Sequence, residues 1–430
     1  MYLIYGKGRV GNAIAALCRA QNLDFQMADD ADDISDFSSF EAIIPSPGIP
    51  GTHRIYSTGK VISELDFAYQ FLPENFQIVT ITGTDGKSTT TWMAFSILQK
   101  YFFGKKKIYL SGNFEIPFSE TIVEILQKNE KEGIIVLEAS SFMLHWIGKT
   151  LQKPFTSDFS IFTNLKTDHL NWHRDLQEYS DAKMNLIKNT SKRAVINQEV
   201  YDFIKNKNLH STIFPNTEIF SDSKKTESST DGEKIFVKDF GEISLSETHF
   251  SGVHNAMNVL SVLLVLREMG LDFKKIAPIL KEISGLPHRL ELIDEIDGVK
   301  IVEDSKSTSA QSLTAALHSY GDSKNILLIA GGSDKGDDFS DLSEIFARRV
   351  KKIACIGATK KKFADLAAKN NIEFLETDSL EKATNWLFGF GENGDILMLS
   401  PGCASFGLFK DYLDRANQFR AAIGNLKNGQ

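Results

Sequence analysis

Phe76-Gln-Ile-Val-Thr-Ile-Thr-Gly-Thr-Asp-Gly-Lys-Ser-Thr-Thr90 is the stretch that decides the fold. The apolar, β-branched run Ile78–Thr82 predicts a strand, and Thr91–Lys100 predicts a helix. Between them lie Gly83, Thr84, Asp85, Gly86, Lys87, Ser88 and Thr89. Strand, glycine-bearing loop and helix form the layout of a phosphate-binding loop. Its glycines allow backbone N–H groups to approach phosphate oxygens, and the helix N-terminus adds partial positive charge. Lys87 would reach the terminal phosphates, and Ser88 or Thr89 would ligate Mg²⁺. Ile81 stands where a full Walker loop has its first glycine, so the functional core is Gly83-x-x-Gly86-Lys87-Ser88.

The rest of the chain bounds what such a loop can serve. At 430 residues it exceeds one core, and two to four domains are expected. A net charge of −8 argues against a nucleic-acid surface. The N-terminus lacks the basic and apolar regions of a signal peptide, and no run approaches the ~18 apolar residues of a membrane helix. Cys18, Cys355 and Cys403 are scattered and have no metal-ligand spacing. They read as buried packing residues in a reducing cytoplasm.

Ahead of the phosphate loop, Tyr2–Tyr5 predicts a strand, followed by Gly6-Lys-Gly-Arg-Val-Gly11 and a helix from about Asn12. This turn resembles the first βα turn of a dinucleotide-binding fold, or is a tight turn without a ligand. Ala42–Ile44 leads into the rigid Pro45-Ser46-Pro47-Gly48 loop, at a strand end where open α/β sheets bind ligands. Phe71-Leu-Pro-Glu-Asn75 reads as a linker.

Beyond the loop, strands are expected at Lys107–Ser111, Gly133–Glu138 and Asp158–Asn164. Glu138, at the end of its apolar run, would face the phosphate loop as a second anchor for Mg²⁺. His169 and His173 are four apart, but no further zinc-spaced ligand supports a metal site. His169 reads as a hard-metal ligand or phosphate contact, and His173 as a satisfied surface histidine. Lys183 lies among apolar residues of a helix and by pattern alone is a snorkelling lysine. Ser221–Glu233 is polar and reads as an exposed loop. Asn255 and Asn258 share one face near the start of a helix; their amides suit a purine edge or a triphosphate, or one of them caps the helix.

Gly285-Leu-Pro-His-Arg289 marks a hinge. After it, four predicted strands end in polar loops carrying Asp304 and Lys306, Lys335, Gly357, and Ser405 with Phe406. The cations and hydroxyl at that sheet edge suit a carboxylate substrate.

Gly83–Thr89, Glu138-Ala-Ser-Ser-Phe142, the His169 loop, Gly252-Val-His-Asn-Ala-Met-Asn258, Leu286-Pro-His-Arg289 and Asp304-Ser-Lys306 follow one another as in the Mur ligases. The chain resembles that family over essentially its whole length. Leu286–Glu291, Asp304–Thr308 and Ser400–Phe406 are most similar to the branch that adds D-glutamate to UDP-N-acetylmuramoyl-L-alanine. The resemblance implies an α/β protein of three domains: a Rossmann-like UDP-substrate domain (1–74), a P-loop-type central ATPase (75–284) and a Rossmann-like amino-acid domain (285–430). It implies ATP-dependent ligation in cytoplasmic peptidoglycan precursor synthesis, through an acyl phosphate, by a monomer with no nucleic-acid or membrane partner.

The resemblance also implies residue roles. Gly8, Arg9, Val10, Ser46, Pro47, Gly48, Asn113 and His169 would contact the uridine ligand. Asn255, Arg289 and Asp304 would join the phosphate loop at ATP. Thr308, Lys335, Ser405 and Phe406 would form the D-glutamate site. Two Mg²⁺ ions are implied, one on Ser88 and Glu138 and one on His169 and a carbamylated Lys183, so the snorkelling reading gives way. Lys87, His169 and Lys183 would be the catalytic set. Asp85, Arg9-Val10 and Tyr412 depart from the family pattern. Another Mur ligase or a folylpolyglutamate synthase is the alternative within enzymes; a nucleotide-dependent switch protein is the alternative outside them.

Overall fold

Strands β1 (Tyr2–Tyr5), β2 (Phe25–Ala28) and β3 (Ile43–Pro45) form a parallel sheet in the order 2-1-3. The helix Arg9–Ala20 crosses between β1 and β2. In this computed structural model, all residues are described except 33, 35, 115, 149–152, 171, 207–215, 223–225, 251, 320–322, 335, 337 and 429–430. They group into two compact units, Met1–Ile283 and Ser284–Gln430.

The first unit also holds a six-stranded sheet of β4 (Asn75–Thr82), β5 (Ile108–Gly112), β6 (Glu132–Glu138), β7 (Ser157–Phe162), β8 (Thr190–Asn197) and β9 (Thr217–Phe220). Its order is 5-6-4-7-8-9, all parallel. A parallel sheet is covered on both faces, so its strands are apolar on both. Alternate residues of β4 and β6 accordingly enter different cores. Val79, Ile81, Ile134 and Val136 pack with Met93 and Ile97 of the helix Lys87–Tyr101 and with the helix Val253–Glu268. Ile78, Ile135 and Leu137 pack with Phe118 and Ile122, and with Ile4, Ile14 and Ile44 of the small sheet. A common core thus runs across residues 74 and 75.

Strands β10 (Ser229–Thr230), β11 (Lys234–Val237) and β12 (Gly241–Ser244) form an antiparallel meander. It corrects the expectation of an exposed loop over Ser221–Glu233 at Ser229–Thr230, while Asp222, Glu227, Asp231 and Glu233 are exposed as expected and 223–225 lie outside the described residues. Ser221, Ser228 and Thr230 are buried because hydroxyls satisfy the chain: Thr226 donates to the Ser228 carbonyl, and Thr230 to that of Lys234.

In the second unit β13 (Glu291–Ile296), β14 (Val299–Glu303), β15 (Ile326–Gly332), β16 (Val350–Gly357), β17 (Glu373–Glu376) and β18 (Ile396–Leu399) lie in the order 13-14-18-15-16-17. Only the β13–β14 pair is antiparallel. It turns at Asp297-Gly298, with φ of 52° and 79°, the two left-handed residues that a two-residue hairpin requires. Both units are α/β, as expected. All three cysteines are buried and none is in a disulfide. Among the described residues, no helix is long and apolar enough to cross a membrane.

Candidate active site

The phosphate loop leaves β4 between its neighbours β6 and β7, at the interior of the sheet. The helix begins at Lys87, earlier than the pattern suggested, so Lys87 and Ser88 occupy its first turn. Two glycines shape the entry. Gly83 has φ 150°, and a Cβ there would sit 1.9 Å from Thr163 Oγ1; Gly86 has φ 76°, and a Cβ would sit 2.7 Å from Asn258 Oδ1. The segment after β7 straps the loop down. Asp85 N donates to Asn164 Oδ1 (2.8 Å), while Asn164 Nδ2 (3.0 Å) and Thr163 Oγ1 (2.7 Å) donate to the Asp85 carbonyl. The Asp85 carboxylate pairs with Lys166 at 2.8 Å. Lys87 Nζ donates to the Thr84 carbonyl (2.7 Å), curling over the loop.

Glu138 lies beside the loop by register, because β6 pairs it with Ile81 of β4. Its side chain is buried. One oxygen accepts from Asn113 Nδ2 at 2.7 Å; the other, Oε2, has no hydrogen-bond partner. A buried carboxylate oxygen left unpaired is costly and fits a hard cation.

Lys183 is buried, which corrects the snorkelling expectation. The helix Leu176–Lys188 aims it at the sheet, where Nζ donates to the Gly83 carbonyl at 2.7 Å and lies 4.6 Å from the Tyr179 ring centre. Burial, aided by the nearby Lys87 charge, holds its amine well below the usual lysine range. His169 is half-exposed with a left-handed backbone (φ 54°). Burial lowers its pKa, opposed by Asp168 and reinforced by Lys183 and Lys87. The two histidines do not share a helix face: His173 N donates to the His169 carbonyl (3.0 Å) in a tight turn. Nor is His173 on the surface. It is buried, its Nε2 is 2.9 Å from Ser141 Oγ, and burial beside His145 pushes its pKa down to about 4. The aromatic neighbours Phe142, Trp172 and Tyr179 bury it.

Next to Glu138 opens a cavity of about 310 Å³. Gly8, Arg9, Val10, Ser46, Pro47, Gly48 and Asn113 all line it. Glu64, Ser140, Phe142 and Met143 line it too and were missed. Ser140 was legible as the cap of the helix Ser141–Leu144, where its Oγ accepts from Met143 N (3.3 Å). Glu64 had no signal; its carboxyl accepts from Ser119 N (2.8 Å), and burial raises its pKa. The helix Val253–Glu268 is capped by the backbone at Gly252, with no side-chain cap from Asn255 or Asn258.

In the second unit, Arg289 is flanked by left-handed His288 (φ 64°) and Leu290 (φ 46°). Asp304 is buried: Oδ1 accepts from Leu290 N (3.1 Å) and Oδ2 from Ser400 Oγ (2.7 Å). Burial raises its pKa to about 7. Thr308 and Phe406 are exposed and Ser405 is buried. Thr308 lies in the loop after β14, and Ser405 and Phe406 in the loop after β18. Those strands are neighbours, so the two loops leave the same end of the sheet. Lys335 lies outside the described residues.

The sequence model of the Mur ligase middle domain matches residues 81–266, and that of the Mur ligase glutamate ligase domain matches residues 288–403. The UDP-N-acetylmuramoylalanine–D-glutamate ligase of Aquifex aeolicus is 32% identical over 434 residues, covering 98% of each chain. The enzyme of the same name from Natranaerobius thermophilus is also 32% identical, over 99% of this chain and 98% of its own. Among solved structures, a UDP-N-acetylmuramate-alanine ligase from Thermotoga maritima superposes with a TM-score of 0.60 at 16% identity, covering 100% of this chain and 99% of its own. A MurF ligase from the same organism, solved with ADP, gives 0.57 at 16% identity, over 99% and 94%.

Proposed function

The chain belongs to the Mur ligase family, and from that premise we propose that it joins D-glutamate to UDP-N-acetylmuramoyl-L-alanine with cleavage of ATP to ADP. The step belongs to cytoplasmic peptidoglycan precursor synthesis, and the chain acts as a monomer. Its working parts are residues 1–74 for the UDP substrate, 75–284 for ATP and 285–430 for the amino acid.

One observation carries the reading: a hydrogen bond ties the cavity to the buried carboxylate that flanks the phosphate loop. Asn113 lines the cavity and donates to Glu138, which pairs in register with the strand that feeds the loop. A substrate held by Gly8, Arg9, Val10, Ser46, Pro47, Gly48 and Asn113 would therefore present its carboxylate beside the γ-phosphate. A carboxylate is a poor electrophile toward an amine. Its oxygen attacks the γ-phosphorus, ADP leaves, and an acyl phosphate forms. The amine of D-glutamate then adds to the carbonyl carbon, and the tetrahedral intermediate expels phosphate and loses a proton.

The loop amides and Lys87 would hold the phosphates, with Asn255, Arg289 and Asp304 as the further nucleotide contacts. The donors fit Mg²⁺: Ser88 and Glu138 would hold one ion, and His169 and a carbamylated Lys183 a second. When bound, the ions neutralise charge on the transferring phosphoryl group. Carbamylation needs a neutral amine, and burial keeps the Lys183 amine neutral more readily than a surface lysine. Thr308, Lys335, Ser405 and Phe406 would bind D-glutamate. The test is isotopic: substrate labelled with ¹⁸O in its carboxylate should yield labelled phosphate with each turnover. Unlabelled phosphate accompanied by amide product refutes the acyl phosphate.

A further inference from the structure

Arg415 is the largest fully buried side chain among the described residues and is 0% exposed. It lies in the helix Tyr412–Asn428 of the second unit. Nη1 donates to the Cys403 carbonyl (3.0 Å) and Nη2 to the Ser305 carbonyl (2.7 Å), while Nε has no partner. Among the described residues it forms no ion pair. Burial lowers its pKa to about 10, with Cys403, Glu303 and Asp304 opposing, so it remains a cation at neutral pH. A buried charge without a contacting carboxylate is a poor way to fill a core, and an apolar residue would do that better.

What the guanidinium adds is geometry. Its rigid fork offers two N–H groups at a fixed separation, which a lysine ammonium or a hydrocarbon cannot reproduce. The two carbonyls it joins belong to different loops. Ser305 starts the turn after β14 that runs on to Thr308, and Cys403 lies in the turn after β18 that runs on to Ser405. Asp304 is held separately, by Ser400 Oγ and Leu290 N.

We propose that Arg415 is a positioning residue that sets the gap between these two loops, and through it the affinity for the D-glutamate substrate. The inference rests on the amino-acid site proposed above. It acts on one substrate only: the two loops it joins run on to Thr308 and Ser405, while Asp304 is held by other groups.

The test compares KM for all three substrates in full-length wild type, Arg415→Met and Arg415→Lys, with circular dichroism as the folding check. KM for D-glutamate should rise at least about tenfold in Arg415→Met, as expected when hydrogen bonds that place substrate contacts are lost. KM for ATP and for UDP-N-acetylmuramoyl-L-alanine should stay within about twofold, as should kcat at saturating D-glutamate. Arg415→Lys, which keeps the charge but not the fork, should show the same split to a smaller degree. It decides the matter if the methionine variant does not fold. An unchanged KM for D-glutamate, or three KM values rising together, overturns the proposal. Wild-type enzyme that makes no product with D-glutamate fails the functional reading instead, so the two failures are distinguishable.

Discussion

Gly86→Ala should weaken nucleotide binding strongly and for two separable reasons. The residue has φ 76°, a left-handed conformation that costs a Cβ-bearing residue roughly 1–2 kcal/mol. The new Cβ would also meet Asn258 Oδ1 at 2.7 Å, so the buried amide must move, at a cost of about 1 kcal/mol. Together these are about 2–3 kcal/mol, or roughly thirty- to a hundred-and-fiftyfold in ADP affinity if the loop relaxes only without ligand. The reasoning is checked by a cycle. In an Asn258→Ala background the obstructing atom is gone, and Gly86→Ala should cost about 1 kcal/mol less there than in wild type. Isothermal titration of the four full-length proteins with ADP and Mg²⁺ measures this. Wild-type affinity in Gly86→Ala, or strict additivity in the double variant, refutes the account of the loop.

Lys183→Ala should lose activity, and bicarbonate or a short carboxylic acid should partly restore it; full activity without additive would exclude a carbamate role. Asp304, raised to about 7 by burial, keeps its proton between about pH 4 and 7 while the unfolded chain loses it, so it lowers stability as pH rises through that window. Asp304→Asn should flatten this limb by up to about 4 kcal/mol, seen as a smaller pH dependence of the urea midpoint for exposing β14, read by pulsed hydrogen exchange at one labelling pH. A slope equal to wild type would place the proton elsewhere. Asn113→Ala removes the one hydrogen-bond partner that the Glu138 carboxylate has among the described residues. It should raise both the Mg²⁺ concentration for half-maximal rate and KM for the UDP substrate, each by about tenfold; an effect on only one would uncouple cavity and loop.

The parallel strands were legible because burial on both faces writes them as apolar runs, as in Ile134–Leu137. Their register then brought Glu138 beside Ile81, the placement expected from the end of its run. Of the eight residues that the motif resemblance assigns to the uridine ligand, seven line one cavity, and His169 is not among its lining residues. Lys183 was misread from pattern because a lysine among apolar neighbours normally extends to solvent; here the Gly83 carbonyl and the Tyr179 ring hold it inside. His173 was misread for a similar reason, since its aromatic cage assembles from Phe142, Trp172 and Tyr179, and Phe142 lies far off in sequence. Strand β13 was missed although Asp297-Gly298 is a strong hairpin signal; the motif around Arg289 drew the segment toward a hinge. Asn164, which holds both sides of the Asp85 peptide, carries no local signal, because only the pairing of β7 with β4 brings it there.

The central claim is ATP-dependent ligation of D-glutamate to a uridine diphosphate muramoyl substrate. It is tested by mass spectrometry of the products formed with UDP-N-acetylmuramoyl-L-alanine, ATP, Mg²⁺ and a panel of amino acids. The account predicts one new product, heavier by a glutamyl residue, formed with D-glutamate and no other member of the panel, with one ADP per amide. A product formed with a different amino acid, or ATP cleavage without any amide, would contradict it.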